Sequence, residues 1–243
     1  AQQADNRDLP EPWAVHVVGG VEHFFSDDTR MTLEGYWKDY RDFPVDPAEP
    51  GLFVVDELVY RYGFFFNHEQ LVSDGRARAR GVEFLLQKKL AQGFYGLAAA
   101  SYSKAEYEAG DGIWRDRVYD NRWMASLEGG YKPSNKWEFS LRWIYAGGPP
   151  YTPLDLEASA AEGRDVLDGS RINEARYPDY HSLNLRFDRR FHFQGSNLVW
   201  YVSVWNVYNR KNVASYTWNG VKGEVDTIYQ WGMLPIFGLE WEF

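Results

Sequence analysis

Apolar and polar residues alternate with a period of two along most of this chain, and a period of 3.6 is almost absent, so the pattern predicts strands rather than helices. The clearest stretch is HSLNLRFDRRFHF, residues 181–193. Leu183, Leu185, Phe187, Phe191 and Phe193 share one face, Ser182, Asn184, Arg186, Asp188, Arg190 and His192 share the other, and only Arg189 breaks the apolar row. KWEFSLRWIY sets Trp137, Phe139, Leu141, Trp143 and Tyr145 against Glu138, Ser140 and Arg142. RWMASLEGGYK sets Trp123, Ala125, Leu127 and Tyr131 against Ser126, Glu128 and Lys132. Weaker alternation marks residues 13–25, 31–43, 76–90, 94–108 and 197–209, and the chain closes on Phe237, Leu239, Trp241 and Phe243 with Gly238, Glu240 and Glu242 between them. The prediction is an all-β chain of about nine antiparallel strands.

The connections sort these strands further. Residues 26–30, 91–93, 133–135 and 194–196 are short and rich in Gly, Pro, Ser, Asn and Asp, as hairpin turns are. Residues 44–75, 109–121, 149–178 and 210–227 are long, and the two kinds alternate strictly. An up-and-down transmembrane barrel has this rhythm, with tight turns at one rim and long loops at the other. A soluble β-sandwich also alternates, turning its apolar faces onto a second sheet. Aromatics at strand ends (Trp13, Phe25, Trp37, Trp123, Tyr131, Trp137 and Tyr145) favour the barrel, whose interfaces carry aromatic girdles. The apolar faces then meet lipid, and Glu83, Glu128, Glu138, Arg142, Asn184, Arg186, Asp188, Arg190 and Glu240 line the lumen, because a charge facing lipid costs about 2–4 kcal/mol near the midplane for Arg or Lys.

Composition removes other classes. Aromatics reach 18% and charged residues 25% of the 243 residues, yet no uncharged apolar run is long enough for a transmembrane helix. There is no cysteine, and a net charge of -9 without a basic stripe argues against a nucleic-acid partner. The five histidines, His16, His23, His68, His181 and His192, have no metal-ligand spacing. GDGIWRD and DGSRIN lack the spacing of a calcium loop or an activated serine and read as turns. No metal, cofactor or enzymatic activity is expected. Arg78, Arg80 and Glu83 form a polar group near one strand end, expected to be solvated or paired. In the first long link, LFVVDELVYRYGFFF, residues 52–66, is too apolar for an idle loop and reads as a hairpin above the membrane; Phe53, Tyr60, Tyr62 and Phe65 are its candidate ligand contacts. The acidic segment 149–178 reads as a mobile lid.

The ending resembles the assembly signal of bacterial outer-membrane barrels, carried by Gly238, Trp241 and Phe243. RARGVEFLLQKKL, GFYGLAAASYSKAE, KWEFSLRWIYAGGPPYTP, YPDYHSLNLRFDRRFHF, VSVWNVYNRKNV and YQWGMLPIFGLEWEF together resemble the C-terminal half of a TonB-dependent outer-membrane receptor. That resemblance implies a bacterial outer-membrane barrel of about 22 strands. Such a barrel holds an N-terminal plug and imports a scarce nutrient, a siderophore, vitamin or glycan, with energy passed on by TonB. Its expected partners are outer-membrane lipid and lipopolysaccharide, TonB through the plug, and a small nutrient ligand. Neither plug nor TonB-contacting segment is recognisable, so residues 1–243 read as the C-terminal part of the barrel. ADNRDLPEPWAVH reads as the tail of an outer loop, with a strand expected before it. About ten unpaired backbone groups at each edge of an open sheet would cost tens of kcal/mol in hydrocarbon, against about 5–15 kcal/mol of typical stability. The chain is therefore expected to be part of a larger receptor, or to receive its missing strands from another chain. A passive porin or structural barrel subunit, and an outer-membrane hydrolase, are the alternative functions.

Overall fold

The structure is a computed structural model that describes residues 6–59 and 70–243. Its strands are β1 (Trp13–Ser26), β2 (Thr29–Val45), β3 (Val72–Ala91), β4 (Phe94–Glu108), β5 (Trp114–Asp116), β6 (Trp123–Ser134), β7 (Trp137–Ala146), β8 (Pro150–Tyr151), β9 (Ala175–Arg176), β10 (Tyr180–Phe193), β11 (Ser196–Trp205), β12 (Val213–Asn219), β13 (Glu224–Tyr229) and β14 (Leu234–Glu242). One helix, α1 (Leu156–Glu162), lies between β8 and β9. A single antiparallel sheet runs β1-β2-β3-β4-β6-β7-β10-β11-β14, with β5 added beside β4. These nine wall strands are the nine that alternation predicts. Chain neighbours are sheet neighbours throughout, as in an up-and-down barrel wall.

Register puts every apolar row on one side. Leu127 pairs with Trp143, which pairs with Leu183, and Phe139 pairs with Phe187, which pairs with Val202 and on to Phe237. The rings of this face touch across strands: Phe94 and Tyr131 stack at 4.4 Å, Tyr102 meets Trp123 at 4.7 Å, and Phe187 contacts both Trp137 and Phe139 at 5.1 Å. The face is open to the surroundings, with Phe237 69% and Leu239 70% exposed. No second sheet covers it among the described residues. Arg189, the break in the row, lies over the ring of its register partner Trp137 at 3.9 Å near the short-turn end, where its charge can leave the apolar band.

The short connections are two-residue turns after β1, β3, β6 and β10. Asp28 organises the first, accepting hydrogen bonds from the Ser26 hydroxyl, the Thr29 hydroxyl at 2.7 Å and the Lys88 ammonium at 2.8 Å. At the opposite end β2 and β3 run to 17 and 20 residues, well beyond the 9–11 that a tilted strand needs to span a bilayer. Trp37 therefore sits inside β2 rather than at a strand end.

Three expectations for the links change. Residues Val54–Val59 form a 3-10 helix, not the arm of a hairpin, while Tyr60, Tyr62 and Phe65 lie outside the described residues. Residues 149–178 carry their own structure: the β8-β9 pair and α1, capped by the Asp155 carboxylate accepting from Ala158 N at 2.9 Å and ended by Gly163 at φ 67°. The alternation of 197–209 overruns its strand, because Asn206 (φ 49°) and Asn209 (φ 53°) turn the chain; the β12-β13 hairpin then takes up most of the long link that follows.

Candidate functional site

The polar face of the wall gathers the predicted lumen residues. Glu83, Glu128, Glu138, Arg142, Asn184, Arg186, Asp188, Arg190 and Glu240 all fall on it, since Glu128 pairs with Arg142, Arg142 with Asn184, and their neighbours follow in steps of two. Arg142 Nε donates to Glu128 at 2.8 Å, and Lys132 lies 3.0 Å from Glu138, which also accepts from the Tyr95 hydroxyl at 2.5 Å. Arg186 forks onto Asp188 at 2.6 and 3.0 Å while its guanidinium covers the Tyr201 ring at 3.9 Å. Arg190 lies 3.5 Å from Glu242. Asn184 accepts from the Ser182 hydroxyl at 3.0 Å and from Asn206 N at 2.9 Å, tying the wall to the turn that ends β11. A concavity of about 580 Å³ opens on this face beside Thr32, Glu34, Glu83, Ser101, Met124 and Arg142.

Strand parity separates the group Arg78, Arg80 and Glu83: the two arginines project to the apolar side and Glu83 to the polar side, opposite Glu34. Phe53 is 1% exposed. It stacks on Tyr107 at 4.9 Å within a small core of Val45, Ala77 and Ala109, so it stiffens the loop base and offers no surface to a ligand.

Gly238 has a definite neighbour, the ring of its register partner Tyr201. The same relation joins Tyr95 to Gly130 and Tyr36 to Gly81, each a cross-strand pair on the polar face. Trp241 stacks on Phe193 at 5.9 Å on the apolar side, and Phe243 ends the chain fully exposed.

The long links fasten to one another above the wall. Arg176 bonds Asp116 at 2.7 Å, the Asp120 carbonyl at 2.6 Å, the Gly148 carbonyl at 3.0 Å and the Asp120 carboxylate. Asp120, 1% exposed, also accepts from Ala105 N at 2.9 Å, so one buried carboxylate joins β4, the 109–122 link and the 147–179 link. Arg117 holds Asp56 of the first link through a forked pair. Tyr151, Tyr177 and Tyr216 form a ring cluster, with Tyr177 4.2 Å from Tyr151 and 5.4 Å from Tyr216. Burial holds the Tyr177 hydroxyl above its ordinary value and keeps it neutral. Asp165 accepts from Trp218 N at 2.5 Å, docking the β12-β13 hairpin onto the end of α1. These contacts were not predicted; each joins residues far apart in the chain and leaves no periodic trace.

Among the described residues no group of three or more acidic or histidine side chains is placed to hold a metal ion. His181 meets the Tyr208 hydroxyl at 2.7 Å, and His192 meets Asn197 at 2.8 Å and the Asn135 carbonyl at 3.1 Å, so both are occupied by protein groups.

Comparison with known proteins accounts for the architecture. Among solved structures, the ferric-catecholate import receptor Fiu of E. coli K12 superposes with a TM-score of 0.64 at 14% identity, covering 100% of this chain and 29% of its own. The ferripyoverdine receptor of the outer membrane of Pseudomonas aeruginosa, bound to ferripyoverdine, gives 0.61 at 14% identity over 95% of this chain and 27% of its own. The copper transporter OprC gives 0.57 at 12% identity over 97% and 32%. The chain thus spans less than a third of the length of these structures, and identities this low speak for the fold alone. The search of curated proteins finds no match. The family described as "TonB dependent receptor-like, beta-barrel" matches residues 6–231. With the match covering nearly all of its length, this chain belongs to the TonB-dependent receptor β-barrel family.

Proposed function

We propose that this chain forms the C-terminal wall and outer loops of an energy-coupled import receptor in the bacterial outer membrane. Its apolar face meets lipid, its polar face lines the lumen, and the interlocked long links form part of the mouth through which a small nutrient enters. The edges of β1 and β14 meet further strands, and a plug domain occupies the lumen and passes energy from TonB. The observation that carries this reading is the separation of the two faces along the mid-wall of nine strands, one exposed and rich in aromatics, the other threaded with ion pairs. An exposed apolar face of this extent is stable only against a nonaqueous neighbour. The structures named above include siderophore and copper receptors, which supports import of a scarce nutrient without selecting the substrate.

Adjacent cysteines test the reading in native outer membranes. Glu128→Cys should react with a charged, water-soluble maleimide and Leu127→Cys only after the membrane is dissolved. Equal labelling of both in intact membranes would overturn the assignment of faces. Uptake that persists without inner-membrane energy, together with steady channel conductance, would replace import with a passive pore.

A further inference from the structure

A side-chain amide at the tip of the β12-β13 hairpin is placed as an electrophile. Asn219 is followed by Gly220, and it is the one asparagine of the sequence with a glycine after it. Its side-chain oxygen accepts two backbone N–H bonds, from Val221 and from Lys222, both at 3.1 Å. Its amide nitrogen donates to Asp226 Oδ2 at 2.6 Å, and Asp226 Oδ1 accepts from the Lys222 ammonium at 3.1 Å. The bonds from Asn219 and Lys222 hold the Asp226 carboxyl below its ordinary range, so the group is ionised at neutral pH. Water reaches the tip freely, since residues 220–223 are all exposed.

The two N–H bonds fold the Asn219 carbonyl back over the peptide that follows, as in an Asx turn, and turn Cγ toward Gly220 N. No hydrogen bond among the described residues engages that nitrogen, and glycine has no Cβ to shield it. Attack by Gly220 N on Cγ makes a C–N bond and puts negative charge on Oδ1, where the Val221 and Lys222 N–H groups already point. The Cγ–Nδ2 bond then breaks. The Gly220 N proton passes to water, while the leaving nitrogen takes a proton relayed from the Lys222 ammonium through Asp226 and departs as ammonia. Water restores the Lys222 proton and opens the cyclic imide at either carbonyl. The net change is the exchange of an amide for a carboxylic acid, with water consumed and ammonia released.

We propose that Asn219 is a self-modification site, converted with time to aspartate and isoaspartate by attack of the Gly220 nitrogen. The product replaces an amide that donates to Asp226 with a carboxylate that repels it. The disturbance falls on the dock of the hairpin. Gly220 packs against the Gly163 carbonyl, and beside it the Trp218 amide and the Thr217 hydroxyl both donate to Asp165. Conversion therefore loosens the hairpin from the end of α1, and with it one join between the long links.

The test ages the purified protein in mild detergent near neutral pH and maps its tryptic peptides by mass. The peptide 212–222, bounded by Lys211 and Lys222, carries Asn212 and Asn219 together, so Asn212 serves as an internal reference. Asn219 should take up labelled oxygen from water and become a substrate for isoaspartyl methyltransferase, while Asn212 stays an amide. Gly220→Ala should slow the conversion roughly tenfold, because a Cβ hinders the attacking nitrogen and restricts its backbone. Asn219→Gln, whose longer side chain carries the carbonyl away from Gly220 N, should abolish it. Asn219→Asp, the product itself, should speed hydrogen exchange of Trp218 N severalfold over the freshly prepared wild type. Conversion of Asn219 no faster than that of Asn212 overturns the site. Faster conversion in the urea-unfolded chain than in the folded protein also overturns it, because the turn would then protect the amide. Unchanged Trp218 exchange in Asn219→Asp overturns the coupling to the dock. None of these readouts depends on which face of the wall meets lipid, so they stand apart from the Leu127 and Glu128 labelling.

Discussion

The ring of Tyr201 lies over Gly238, its register partner, so closely that a Cβ on Gly238 would fall 2.2 Å from Tyr201 Cζ. The ring is held from above by the Arg186 guanidinium, so it cannot swing aside without loosening the Arg186–Asp188 pair. Gly238→Ala should therefore cost about 1–3 kcal/mol, the usual range for overpacking. The penalty should shrink when Tyr201→Ser is combined with it, as coupling between touching residues requires. The fraction of folded barrel recovered from outer membranes, measured for both single variants and the double, checks this; strictly additive losses would refute the contact as the cause.

A charge on the exposed aromatic face should be far more harmful than one a residue away. Phe139→Arg places a guanidinium toward lipid and should lower barrel stability by about 2–4 kcal/mol if it lies near the midplane. Ser140→Glu, on the polar face opposite its register partner Arg186, should be far less harmful. Urea unfolding of both proteins in detergent or lipid discriminates the faces.

Arg176→Met should detach the 147–179 link. Asp120 would keep only the 3.4 Å contact with Arg122 and the Ala105 amide, leaving a buried carboxylate short of charge compensation. Breaking one partner of such a pair costs about 3–5 kcal/mol, here confined to the loops rather than the wall. Limited proteolysis should cut within residues 147–179 at low protease in the variant and leave the wild type intact, with wall strands unaffected in both.

The 109–118 segment should loosen in acid. A forked bond from Arg115, at 2.6 and 2.9 Å, holds the Asp111 carboxyl below the ordinary carboxylate range. A lowered folded value means the stabilisation is full above the unfolded pKa of about 3.9 and is lost as pH falls through the folded one. Hydrogen exchange of Ile113 N, which donates to Asp111 Oδ1 at 3.1 Å, should accelerate over that acid window relative to neighbouring loop amides. Asp111→Asn should remove the excess pH dependence.

The all-β class, the nine wall strands, the strict alternation of short and long links, and the common face of Glu128, Arg142, Asn184 and Asp188 were all determined by the sequence itself. Their physical reason is local: side chains alternate across a strand, so parity alone assigns each residue to a face once the turns are placed. The tertiary structure decided what parity cannot carry. It buried Phe53 beneath Tyr107, made the segment after Phe53 a 3-10 helix, and gave residues 149–178 a helix and a strand pair. It also set Tyr201 over Gly238 and closed Arg176 on Asp120, residues 56 apart in the chain. Such contacts depend on register between distant segments and on the exact course of loops, and neither leaves a repeating mark on hydrophobicity.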